Sequence, residues 1–204
     1  MPSRRSAVLL AAALFGFALV CWAGVAGLGL LPADARTAQE VAEERVGGLG
    51  LALPRVLAFL GSPVPAAIWT AGLAVAVGRW LGRRYGALVL AASGVFVITS
   101  VIKVLADRPR PAAGAGLDPS FPSGHTAYVT AVLGLMVVLL AQRQRWELAA
   151  AAGLAVVAMG PSRVLLGVHW LSDVLAGYAI GLAWLLLILA FGLPWARRGA
   201  GPGG

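Results

Sequence analysis

Charge is what this sequence has least of. Of its 204 residues only 12% are charged and 60% are hydrophobic, whereas a soluble domain is about 25% charged. The shortage excludes an ordinary water-soluble domain and points to a polytopic membrane protein. Acids are scarcer than bases, 8 against 16, for a net charge of +8. Such an excess in a soluble chain suggests nucleic acid, but no basic run carries interleaved aromatics, so no nucleic-acid partner is expected. Arginines flanking membrane spans account for the excess. The single cysteine, Cys21, excludes an intramolecular disulfide. With no HExxH motif and no cysteine pair, no metal site is expected. The only two histidines are His125 and His169, so any histidine chemistry falls to them.

What is present is a series of apolar runs. They predict an all-α bundle of six membrane-spanning helices in a single domain, with spans near 7–30, 63–79, 86–106, 123–141, 147–166 and 171–194. The first run is too long for a signal-peptide core of about 7–15 residues, despite Ala33-Asp34-Ala35 after it, which looks like a signal-peptidase site. Residues 31–61 read as an extracytoplasmic loop with short helices. Thr37 and Glu40 have capping-box spacing, Gly47-Gly48 ends that helix, and Leu51 to Leu60 forms an apolar piece suited to the membrane surface. The Gly-rich end, 197–204, is expected to be disordered. Abundant Gly and Ala suit close helix packing in lipid.

Arg4, Arg5, Arg79, Arg83, Arg84, Arg143, Arg145, Arg197 and Arg198 fall on one side of this layout, with Glu147 alone among the eight acids. The positive-inside rule then makes both termini cytoplasmic. Three polar clusters land together on the outer face. Lys103 lies near the outer end of the third span and Arg110 just beyond it; Arg108, between them, reads as an extra rim charge. Pro122-Ser123-Gly124-His125 opens the fourth span, where unpaired N–H groups and the helix dipole suit an oxyanion. Pro122 would occupy the first helical turn. Arg163, His169 and Asp173 surround the start of the sixth span. His169 and Asp173, four apart, would share a helix face, the carboxylate leaving one imidazole nitrogen free to attack. Ionisable groups at the edge of lipid are costly, so three such clusters at one level point to a functional site.

Taken in order, K-x6-R-P at 103–111, P-S-G-H at 122–125 and S-R-x5-H-x3-D at 162–173 resemble the three-part signature of the type 2 phosphatidic acid phosphatases, the lipid phosphate phosphatase and vanadium haloperoxidase superfamily. The resemblance covers about residues 60–195. It implies a metal-independent phosphatase of the plasma membrane with no cofactor, acting on a lipid phosphate at the extracytoplasmic face. His169 would be the nucleophile, Asp173 its orienting partner and His125 the general acid. Lys103, Arg110, Ser123, Gly124 and Arg163 would hold the phosphoryl oxygens. Undecaprenyl diphosphate is the first-choice substrate, with phosphatidate or phosphatidylglycerol phosphate as the alternative. A membrane protein that binds or transports an anion would use the same cations without needing the histidines. An intramembrane serine hydrolase built on Ser123 or Ser162 lacks a separate oxyanion loop. The sequence specifies no oligomeric state.

Overall fold

The computed structural model describes residues 3–28, 31–46, 50–114 and 118–198, and among them there is no strand. Among the described residues six helical segments are long and apolar enough to cross a membrane, as the apolar runs predict. The first is α1 (Arg4–Leu28), followed by two helices in the long connection, α2 (Pro32–Val46) and α3 (Ala52–Leu60). Then come α4 (Pro63–Leu81), the pair α5 (Arg83–Ser93) and α6 (Val95–Ala106), α7 (Gly124–Ala141), α8 (Trp146–Leu165) and α9 (Leu171–Leu187). A π-helical turn, Ile188–Gly192, joins α9 to α10 (Leu193–Arg198), widening the helix just before Pro194, whose missing N–H would otherwise break the ladder.

Two details of the connection differ from the sequence reading. Helix α2 begins at Pro32, not at Thr37. Proline suits a first turn, and Thr37 lies inside the helix, its hydroxyl donating to Ala33 O at 2.8 Å. The Gly47-Gly48 stop lies outside the described residues, as do residues 29–30 at the end of the first expected span. At the C-terminus Arg197 and Arg198 belong to α10; the rest of the expected disordered tail lies outside the described residues.

The third spanning segment breaks at Ser93-Gly94, a residue pair that favours kinks. Trp184 of α9 meets the break: its indole N–H donates to Ala91 O at 2.9 Å. A Cβ on Gly94 would stand 3.5 Å from that ring. The centre of the bundle is α7, buried along most of its length and packed on α5, α6, α8 and α9. Gly177 and Gly181, four apart on α9, let the two backbones touch. A Cβ at 177 would lie 2.7 Å from Ser123 O, and one at 181 would lie 2.6 Å from Ala127 O. Small residues at this spacing are how helices close on one another in lipid. The packing brings the starts of α7 and α9 together, and Ser123 N–H donates to Asp173 O at 3.0 Å.

Candidate active site

The three sequence clusters converge. Lys103 lies in the last turn of α6, which Asp107 ends in the left-handed region at φ 41°. Lys103 Nζ donates to Pro119 O and pairs with Asp118 at 2.9 Å. Arg110 Nη2 pairs with the same carboxylate at 2.8 Å, and Nη1 donates to Val168 O at 2.7 Å. Nη1 also lies 3.1 Å from His169 Nε2. A guanidinium only donates, so Nε2 holds the lone pair and the proton sits on Nδ1. That is the tautomer an attacking Nε2 needs.

His169 and Asp173 do meet, but not across a helix face. His169 precedes α9, whose N-cap is Trp170. Asp173, in the first turn, folds its carboxylate back: Oδ2 accepts Trp170 N–H at 2.9 Å and stands 3.4 Å from His169 Nδ1. A capping turn, not the i,i+4 periodicity, joins the pair. The distance is longer than a formed hydrogen bond. Burial first, then the Arg110 and Arg163 charges, pushes the His169 pKa down to about 4, against the opposing pull of Asp173. The imidazole is therefore neutral across the physiological range. For Asp118, burial acts upward, but Lys103 and Arg110 outweigh it and hold the carboxyl below its usual range.

At the start of α7 the N-cap is Ser123, in an extended conformation. Pro122 lies outside the helix, after a cis peptide bond, and does not occupy the first turn as the sequence suggested. The Ser123 side chain has no exposed surface and its hydroxyl pairs with that of Thr126 at 2.9 Å. A Cβ on Gly124 would sit 3.9 Å from Lys103 Cε, in the space before the helix start. His125 Nε2 lies 3.2 Å from Ala58 O. A carbonyl only accepts, so Nε2 carries the proton and Nδ1 remains for exchange. Arg163, in the last turn of α8, is buried. Among the described residues its Nε and Nη1 have no partner, a costly state for an isolated protein and a suitable one for receiving an anion.

A cavity of about 710 Å³ opens among several of these groups. Lys103, Arg110, Gly124, His125 and His169 line one end, and Ala66, Ala67, Phe96 and Val97 line the apolar remainder. Among the described residues no three His, Cys, Asp or Glu side chains form a metal-binding group; the positive charge at the site is Lys and Arg.

The sequence reading missed two groups. Arg108, read as a rim charge, is 5% exposed and bridges Asp34 and Asp173. Asp34 is 1% exposed, inside a tripeptide that resembled a processing site. The cost of leaving either charge unpaired in an apolar setting was the available signal that each has a partner.

Fold and site together define a membrane-embedded helical bundle with a cluster of fixed cations beside two histidines. The model of the PAP2 superfamily matches residues 82–196, more than half of the chain, and the chain belongs to that superfamily. It is 31% identical over 104 residues to phosphatidylglycerophosphatase B of Bacillus subtilis. It is 39% identical over 74 residues to a non-specific acid phosphatase of Salmonella typhi, and 40% over 89 residues to lipid A 1-phosphatase of Rhizobium johnstonii. These matches cover 47%, 31% and 44% of this chain and 51%, 24% and 33% of the relatives, so the chain spans about half or less of the curated proteins it matches. The crystal structure of a transmembrane PAP2-type phosphatidylglycerolphosphate phosphatase from Bacillus subtilis superposes with a TM-score of 0.71 at 25% identity, covering 91% of this chain and 96% of that one.

Proposed function

We propose that the protein is a membrane phosphatase that hydrolyses a lipid phosphate through a phosphohistidine. The observation that carries this reading is the contact of 3.1 Å between Arg110 Nη1 and His169 Nε2, which puts the lone pair of a neutral imidazole beside a phosphate-binding cation. A phosphoryl oxygen entering this corner takes over the Arg110 donor and leaves Nε2 facing phosphorus. Lys103, Arg163 and the Gly124 N–H, with Ser123 if its hydroxyl turns from Thr126, complete the cradle. Phosphoryl transfer asks for positioning and charge stabilisation, and three fixed cations provide both.

In the first step Nε2 attacks phosphorus, and an N–P bond forms as the bond to the lipid oxygen breaks. Asp173 stabilises the positive charge that grows on the ring, and protonated His125 gives its Nδ1 proton to the leaving oxygen. In the second step neutral His125 takes a proton from water as that water attacks phosphorus. The N–P bond breaks, releasing inorganic phosphate and restoring His169. The apolar cavity keeps the lipid tail out of water meanwhile.

The names of the relatives support phosphatidylglycerol phosphate as a substrate alongside undecaprenyl diphosphate, the first choice on the family resemblance. The arginine distribution supports an active site on the outer face with both termini cytoplasmic, in one phosphatase domain. A panel of lipid phosphates, assayed for phosphate release with and without EDTA, tests the activity and ranks the substrates. Release should survive EDTA; loss on chelation that magnesium restores would contradict the reading, and no release from any member would favour an anion-binding protein. For sidedness, Ala113→Cys in a Cys21→Ala background should react with an impermeant maleimide on intact cells while Gln144→Cys should not; the reverse would place the site inside.

A further inference from the structure

Behind His169 lies a second charged line that no sequence motif announces. Asp34, in the first turn of α2, receives Arg108 Nη2 on Oδ2 at 2.7 Å. The same oxygen receives the Ser172 hydroxyl at 2.6 Å, and Oδ1 receives the Ser172 N–H at 2.8 Å. Ser172 is the second residue of α9, so the carboxylate of α2 caps the start of α9 from outside, where the helix dipole favours an anion. Arg108 Nη1 donates to Asp173 Oδ1 at 2.5 Å and to the Ser172 hydroxyl at 2.8 Å. Its guanidinium carbon lies 5.3 Å from the centre of the Trp170 ring. With one oxygen of Asp173 held by Arg108, the other is left for Trp170 N–H and His169.

We propose, on the phosphatase reading above, that Asp34 and Arg108 are positioning residues of the phosphoryl-transfer centre: Asp34 fixes Arg108, and Arg108 fixes the Asp173 carboxylate in the one orientation that serves His169. A guanidinium is a rigid planar fork, so the place of Asp34 sets the place of Asp173. Lysine keeps the charge but cannot hold two carboxylates at fixed separation. A buried pair needed only for stability would be complete with Asp34, Arg108 and Ser172; the second arm of Arg108 is spent on the residue beside the nucleophile. Helix α2 is thereby part of the active site, although it lies outside the region that the family model matches.

The test is a double-substitution cycle on the full-length protein in detergent, read by the burst of nitrophenolate from p-nitrophenyl phosphate and by the melting temperature. Arg108→Ala should slow the burst by roughly 10²-fold, the loss typical of a misplaced reacting group. Asp34→Ala should slow it by about 10-fold, the lower end for losing an orienting partner. The double variant should burst no more slowly than Arg108→Ala, because both act along one line. Its melting temperature should nevertheless fall below that of Arg108→Ala, because Asp34 also caps α9. KM should change little, since the phosphate cations are untouched. Arg108→Lys guards against misfolding: it should restore the melting temperature and not the burst. Burst losses that multiply, an unaffected burst in Asp34→Ala, or a full burst in Arg108→Lys would each overturn the proposal.

The His169 titration, followed by NMR in wild type and Arg108→Ala, decides the link even if no substrate is cleaved. Asp173, Arg110 and Arg163 face that ring. Releasing Asp173 from Arg108 makes it a stronger partner for the imidazolium, so the titration should move up. An unmoved titration would also overturn the proposal. No burst and no phosphate release from wild type would instead remove the phosphatase reading.

Discussion

The two histidines stand in one cavity but are held in opposite ways. His169 is fixed by side chains: Arg110 in front, Asp173 behind, and Arg108 and Asp34 behind Asp173. His125 is fixed by the backbone of a neighbouring short helix, through the carbonyl of Ala58 on α3. A nucleophile must keep one tautomer and one line of approach, which a chain of fixed charges enforces. A general acid must gain and lose a proton each turnover, and a neutral carbonyl on one nitrogen leaves the other free to do so.

The largest effects should separate the two rings. His169→Ala should give no burst with any substrate, because no N–P bond can form. His125→Ala should lose about 10²–10⁴-fold on a lipid monophosphate, the usual worth of general acid catalysis. It should lose less in the burst with p-nitrophenyl phosphate, whose nitrophenolate leaves with little help from a proton. A burst that survives His169→Ala, or equal His125→Ala losses on both substrates, would erase the distinction.

A smaller effect probes the backbone hold on His125. A Cβ on Gly61, between α3 and α4, would come within 2.5 Å of His125 Cδ2. Gly61→Ala should therefore displace the ring and slow lipid hydrolysis by about 10-fold, below the ~10²-fold that a full 1 Å misplacement can cost. Its nitrophenyl phosphate burst should stay close to wild type. Loss of that burst in proportion would mean that α3 supports the whole site rather than the acid alone.

The smallest expected effect lies on the His169 side. Asp118, exposed, pairs with both Lys103 and Arg110, so a phosphate held by these cations would have to displace it. Asp118→Asn should lower KM by about 1.4- to fivefold, matching the ~0.2–1 kcal/mol of an exposed ion pair, with kcat little changed. A raised KM would show that Asp118 orders the cations instead of competing for them.

Much of this was legible from local signals. Apolar runs of spanning length give the six helices, because burial in lipid needs length and little else. The motif clusters gave Lys103, Arg110, Gly124, His125, Arg163, His169 and Asp173, because each contains its own chemistry. What was not legible depends on distant partners. Asp34 looked like part of a processing site and Arg108 like a rim charge, since neither residue shows that the other lies beside it. The His169–Asp173 pair was read for a helical reason but forms through a capping turn, because α9 starts at Leu171, two residues after His169. The Ser123 hydroxyl pairs with that of Thr126, a partner that the P-S-G-H motif does not announce.

The most direct measurement is isolation of the covalent intermediate. Protein mixed briefly with a ³²P-labelled lipid phosphate and quenched in alkali should carry label that is lost in acid and kept in base, as a phosphoramidate is. Peptide mapping should place it on His169, and His169→Ala should carry none. Label on a serine, stable to acid, or turnover with no labelled protein under rapid quench, would contradict nucleophilic attack by His169.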